Sequence, residues 1–250
     1  MPAQSSKPAP AEDAHRAERL LATLPEVELL GVLRGASNYT FLARLRPHEK
    51  DGMLAVYKPE RGESPLWDFP SGTLFLREVA AYELSKVLGW PRIPPTVVRK
   101  TGPHGIGAMQ LFVDGDGRHF LSEQAARRDD WMRVALFDVL ANNADRKSGH
   151  CLFDAQDRVW VIDHGLTFHV DDKLRTVIWD FSGEPLPGDL CGDIERALAQ
   201  LEHGKLGNTV ANLLSPSETR MLKRRLRAAL EPEWRFPSPT SGWSLPWPPV

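Results

Sequence analysis

Cysteine is nearly absent from this chain: Cys151 and Cys191 are the only two, and they do not form a CxxC pair. That excludes a disulfide framework and a structural zinc cluster as organising principles. An excess of charge is missing too. The 31 Lys and Arg residues against 33 Asp and Glu leave a net charge of -2, so there is no electrostatic case for nucleic acid, which needs a basic stripe. No apolar run approaches the roughly 20 residues of a membrane-spanning helix, and the amino terminus lacks the apolar core of a signal peptide. There is no internal repeat. These absences predict a cytoplasmic protein without a transmembrane segment. At 250 residues and 42% hydrophobic, the chain can bury a substantial core as one two-lobed domain or two small ones.

The most informative stretch is residues 137–169, FDVLANNADRKSGHCLFDAQDRVWVIDHGLTFH. A helix-like apolar run ends at Asn142-Asn143-Ala144, and the polar loop Asp145-Arg146-Lys147-Ser148-Gly149-His150 follows. Two short apolar segments come next, Cys151 to Phe153 and Val159 to Ile162, separated by the turn-like Asp154 to Asp157. The second runs into Asp163-His164-Gly165. One carboxylate past a buried helix and another past a buried hairpin can share a cleft. Phosphoryl transfer needs that arrangement, with one Asp at the nucleophile and one holding a metal on the phosphates.

Around this stretch the pattern predicts the following order. Residues 1–13, rich in Pro, Ala and Ser, read as a disordered tail. Ala14 to Leu24 reads as a short helix. Glu26 to Leu33 and Tyr39 to Leu45 read as strands joined by Arg34-Gly35-Ala36-Ser37-Asn38, which is either a plain hairpin turn or a phosphate cradle of backbone N–H groups. Met53 to Pro59 is a strand with Lys58 at its end. The next helix, Leu74 to Leu88, has Thr73 as its expected cap and carries Glu78 among apolar neighbours. Thr96 to Lys100 and Gly107 to Val113 are strands, and Asp114 to Gly117 is a turn.

A buried helix follows over Trp131 to Leu140, begun by Asp129-Asp130. Residues 171–180 read equally as strand or helix. Leu190 to Leu201 and Ser217 to Leu230 are helical, the latter opened by a Ser215-Pro216-Ser217-Glu218 capping box. Lys223, Arg224, Arg225 and Arg227 form a basic face, read as solvated or as a contact for an anionic membrane surface. Residues 231–250, rich in Pro and Trp, are expected to be irregular, either wrapping the lower lobe or serving as a docking tail.

Several of these blocks together resemble the phosphatidylinositol 3-/4-kinase-like atypical kinases, most of all the type II phosphatidylinositol 4-kinase branch and its short bacterial relatives. The blocks are Val56-Tyr57-Lys58-Pro59, Arg77 to Tyr82, Leu88-Gly89-Trp90 with Ile93-Pro94-Pro95-Thr96, Asp145-Arg146 and Ile162-Asp163-His164-Gly165. The resemblance implies an α+β, two-lobed protein-kinase-like fold over residues 14–250. A β-rich N-lobe with one helix would span about 25–113 and a mainly helical C-lobe about 118–230, with ATP between them.

It also implies roles. Lys58 would contact the nucleotide phosphates, held by Glu78, and Asp145 would orient or deprotonate the acceptor hydroxyl. Asp163 and His150 would bind Mg²⁺, with His150 standing where the family has Asn. Gly35, Ser37 and Asn38 would cradle phosphates, and the backbone of Gln110, Leu111, Phe112 and Val113 would face the adenine. Arg146 pairs with either a carboxylate or a phosphate. Imidazole at position 150 leaves three readings open: a one-metal site, a Mn²⁺-preferring kinase, or a nucleotide-binding pseudokinase or regulatory scaffold. A metal-dependent hydrolase built on His150, Cys151, His164 and His169 is a further alternative. The acceptor is a phosphoinositide, a protein or a small molecule, and peripheral membrane contact is compatible with any of them.

Overall fold

The computed structural model describes residues 10–33, 38–46, 52–240 and 244–250. They divide into two compact units: residues 1–64 with 95–112, and residues 65–94 with 113–250.

The first unit is a five-stranded antiparallel sheet made of β1 (Glu26–Val32), β2 (Phe41–Arg46), β3 (Met53–Pro59), β4 (Thr96–Arg99) and β5 (Gly107–Leu111), in the order β1-β2-β3-β5-β4. Strand alternation decides its faces. In β3, Ala55, Tyr57 and Pro59 are buried while Leu54, Val56 and Lys58 are not. Helix α1 (Pro10–Thr23) joins Leu21 and Leu24 to a core with Ala43, Leu45, Ala55, Tyr57 and Met109. Arg99 closes the end of this helix, donating to the carbonyls of Leu21 at 2.8 Å and Leu24 at 2.7 Å, which answers the unpaired carbonyls of a helix C-terminus. The helix starts at Pro10 rather than Ala14, so residues 10–13 are helical rather than tail. Proline fits a first turn, where its missing N–H is no loss.

The second unit is mainly helical. Helix α2 (Leu74–Leu88) has the predicted bounds and groups with this unit. Its buried Arg77 donates to Glu218 at 2.5 Å and to the Thr167 carbonyl at 2.6 Å. Thr73 does not cap it through its side chain: the hydroxyl donates to the Pro70 carbonyl and its oxygen accepts from Arg77 Nε at 3.4 Å. A short α3 (Phe120–Glu123) precedes α4 (Arg128–Ala141). The hairpin of β6 (Cys151–Phe153) and β7 (Val159–Val161) follows as expected.

Residues 171–180 are neither strand nor helix. They form an irregular segment with one parallel bridge from Thr176 to Arg146. Helix α5 (Gly188–His203) precedes α6 (Lys205–Ala211), which the sequence pattern missed because it is short and interrupted by Gly207. In α7 (Pro216–Ala229) the capping box forms, with Glu218 Oε2 accepting from Ser215 N–H at 2.8 Å. Burial pushes the Glu218 carboxyl up, but Arg77 and Ser215 more than offset this and hold it below the usual range.

Arg225 is not on the solvated basic face. It points inward and donates to the Leu140 and His169 carbonyls, and burial lowers its guanidinium to about 10. The C-terminal segment is irregular and wraps the second unit. Phe236 is buried beside Phe181, and it exchanges backbone hydrogen bonds with Gly183 and Glu184.

Candidate active site

The site in the second unit is built on a buried ion pair. Arg146 and Asp138 are both fully buried, and the guanidinium donates through Nε and Nη2 to the carboxylate at 3.0–3.1 Å. Nη1 reaches the Ile162 carbonyl at 2.8 Å, and Nη2 meets His164 Nε2 at 2.7 Å. Burial alone would lower the Arg146 pKa, but Asp138 more than offsets it and the net direction is up. Arg146 therefore pairs with a carboxylate, not a phosphate. It ties α4, the loop after it and the turn after β7 into one knot.

Asp145 is the residue before that anchor. Asn142 ends α4 in the left-handed region, at φ 52°, and Asn143 Oδ1 accepts the Asp145 N–H at 3.0 Å. The Asp145 carboxylate lies 3.5 Å from Lys147 Nζ. Burial pushes its pKa up to about 6; Lys147 opposes this and the charge of Asp163 adds to it. The two predicted carboxylates are thus brought near enough to feel each other. Lys147 was not among the predicted candidates, although a cation two positions after the candidate Asp145 was the available signal.

Asp163 sits at φ 61°, a left-handed conformation Asp tolerates better than most residues, and its side chain is 45% exposed and so open to a ligand. His150 Nε2 stands 3.4 Å from its Oδ2, and His150 Nδ1 accepts the Lys147 N–H at 3.3 Å. Two consecutive residues of α2 hold the turn beyond it. Glu78 Oε2 accepts the His164 N–H at 3.0 Å, and Arg77 donates to the Thr167 carbonyl. Glu78 is 2% exposed, so this carboxylate is an anchor of the Asp163 turn, a contact that sequence spacing did not show.

The histidines and cysteine that suggested a hydrolase do not converge. His164 is committed to Arg146, and His169 binds the Asp68 carbonyl and the Asp171 N–H. The Cys151 thiol is fully buried, and burial pushes it up to about 12. Among the described residues no group of three or more His, Cys, Asp or Glu side chains is placed to hold a metal ion.

In the first unit, Lys58 is half-buried on the sheet face shared with Leu54 and Val56, opposite the face that α1 covers, and is paired in register with Ala108. Of the predicted phosphate turn, Gly35 and Ser37 lie outside the described residues, while Asn38 Oδ1 accepts the Ser64 N–H at 2.8 Å. Gln110 turns its amide to Thr96 Oγ1 at 2.8 Å. The N–H groups of Leu111 and Phe112 donate to the carbonyls of Pro95 and Leu54. The sheet therefore already uses these backbone donors, and Val113 begins the second unit.

A sheet unit in this strand order with a helical unit carrying two loop carboxylates is the protein-kinase-like fold. A solved structure described as the Golgi casein kinase with Mn/ADP bound has the same fold, at TM-score 0.61 and 15% identity over 90% of this chain and 76% of that one. At the sequence level, Protein Rv2133c of Mycobacterium tuberculosis (strain ATCC 25618 / H37Rv) is 36% identical over 259 aligned residues, covering 89% of this chain and 92% of that protein. The chain belongs to the family of Rv2133c. Phosphatidylinositol 4-kinase gamma 4 of Oryza sativa subsp. japonica is 29% identical over 186 residues, or 63% of this chain, and the match spans only a third (33%) of the rice protein. No family model matches the chain.

Proposed function

We propose that this protein is an ATP-dependent phosphotransferase that moves the γ-phosphate of ATP to a hydroxyl. The observation that supports it most directly is the pairing of Asp145 and Asp163, set on two loops that Arg146 locks together. In this reading Asp145 accepts the acceptor's hydroxyl proton as that oxygen bonds to the γ-phosphorus, and the bond to the β-phosphate oxygen breaks to release ADP. Lys58 is assigned to the nucleotide phosphates and Glu78 to holding it, as the resemblance implies, with Asn38 and the 110–113 backbone meeting the nucleotide through the polar groups that Ser64 and the sheet leave unused. The acceptor to try first is a phosphoinositide, by analogy with the rice relative's name; proteins and small polyols follow.

Asp163 is the residue that would hold a divalent cation, which supplies charge neutralisation at the phosphates. Its carboxylate oxygens suit a hard ion that keeps its waters. Because His150 Nδ1 accepts the Lys147 N–H, its proton sits on Nε2, facing Asp163. His150 then orients that carboxylate instead of ligating, which favours a one-metal Mg²⁺ site over a Mn²⁺-preferring one. The same substitution motivates a second reading, a nucleotide-binding protein that does not transfer phosphate.

Calorimetry with ATP and either Mg²⁺ or Mn²⁺ tests the first step. Wild-type protein is expected to bind the metal–nucleotide pair, and Asp163→Ala to weaken that binding by roughly 10- to 100-fold. Wild-type protein that binds no nucleotide with either metal rejects both readings. The pH dependence follows from Asp145. Only the ionised carboxylate can accept the proton, so kcat is expected to fall about tenfold per pH unit below pH ~6, with no matching fall in ATP binding. A profile flat down to pH 4.5 would remove Asp145 from the base role.

A further inference from the structure

The tail that wraps the second unit does something specific at its far end. Ser148, three residues after Asp145, is fully buried. Its hydroxyl accepts the Leu121 N–H at 3.0 Å and meets His119 Nδ1 at 2.8 Å, while its own N–H donates to the Pro249 carbonyl at 2.8 Å. Five residues before Pro249, the Ser244 carbonyl accepts the Thr176 N–H at 3.1 Å and the Trp179 indole N–H at 3.3 Å. Thr176 is the residue bridged to Arg146, whose N–H donates to Arg175 and whose carbonyl accepts from Val177. The tail's two contacts therefore bracket residues 146–148 from both sides.

The composition suits a fixed strut. Pro246, Pro248 and Pro249 restrict the chain before it docks, so less conformational freedom is lost on docking. The apolar pattern is the reverse of a core-covering segment. Ser244 is buried, while Leu245, Trp247 and Val250 are 51%, 89% and 59% exposed. The segment meets the protein through backbone carbonyls aimed at the loop, not through its large side chains.

We infer that residues 244–250 are a positioning clamp on the catalytic loop, acting through the Pro249 carbonyl on Ser148 and the Ser244 carbonyl on Thr176. This rests on the proposed role of Asp145, but it makes a structural claim that can be read without activity.

The test compares the full chain with a variant ending at residue 238 and with full-length Pro246→Asp, which places a charge at a buried tail position. Hydrogen exchange of amides 145–150 is expected to accelerate in both variants, most at Ser148. With a phosphate acceptor identified, kcat is expected to fall on the order of 10²-fold while KM for ATP stays within about threefold. A synthetic peptide of residues 239–250 added to the truncated protein is expected to restore part of both. Unchanged exchange at 145–150 overturns the clamp. So does faster exchange with unaltered kcat, or loss of folding in both variants, either of which leaves the tail only a structural role. Faster exchange in a protein whose wild type shows no transfer leaves the clamp standing and rejects the phosphotransferase reading instead.

Discussion

Asp145→Asn is expected to lose phosphoryl transfer by about 10²- to 10⁴-fold and yet to melt at a higher temperature than wild type. The loss follows from removing the proton acceptor while keeping the side chain's shape. The gain follows from the cause of the raised pKa. Burial, not a useful partner, dominates at Asp145 and lifts its carboxyl to about 6 from an ordinary 3.8, so the folded state prefers the protonated form. Below pH ~4 the group carries no penalty. As pH rises from about 4 to 6 the unfolded chain ionises this carboxyl while the folded protein still holds its proton, so stability falls across that window and levels off above 6. Near pH 8 that penalty is on the order of 2–3 kcal/mol, at 1.36 kcal/mol for each pH unit between the two pKa values. An amide does not ionise. The variant is expected to gain roughly 4–8 °C in Tm at pH 8, with the gap narrowing as pH falls from 6 toward 4. Thermal scans of both proteins at pH 8 and pH 4.5 decide it. A variant that melts lower at pH 8 would mean that the Lys147 contact outweighs the burial penalty. A catalytic group that weakens its own fold is what a functional site is expected to contain.

What the sequence made legible is local. The bounds of Leu74 to Leu88, the strand ending at Lys58 and Pro59, the hairpin between Cys151 and Val161, and the capping box at Ser215 all rest on patterns a few residues long. Asp145 and Asp163 were legible for the same reason, since each closes a short apolar segment at a polar turn. Partnerships across the chain were not. Arg77 finds Glu218 at a separation of 141 residues, and Glu78 finds the His164 N–H at 86. Neither pairing leaves a trace in spacing. Arg225 misled because a run of Lys and Arg looks solvated, whereas one helical turn rotates it inward to the carbonyls at Leu140 and His169. His150, Cys151, His164 and His169 misled in the opposite way. They are close in sequence, yet the hairpin and the turn after it point each to a different partner. Asp138 was visible as an acidic exception in an apolar helix, eight residues before an unassigned Arg146. Two opposite charges in buried segments are a reason to expect each other, and that inference was available from sequence.

The Asp138–Arg146 pair carries the largest expected effect on stability. Both side chains are 0% exposed, and Arg146 also holds the Ile162 carbonyl and His164, so Arg146→Met removes four hydrogen bonds' worth of donors from the knot at once. Removing one partner of a buried pair costs about 3–5 kcal/mol, and roughly 10 °C in Tm for a chain of this size is expected. Asp138→Asn leaves the guanidinium buried without its counter-charge and is expected to cost a similar amount, because an uncompensated buried charge is the penalty in both cases. Urea unfolding of the two single variants measures both losses. A loss below about 1 kcal/mol in Arg146→Met would mean that Asn143 and Thr176 hold the Asp138 carboxylate well enough without Arg146, and that the knot depends on its amide and hydroxyl as much as on its ion pair.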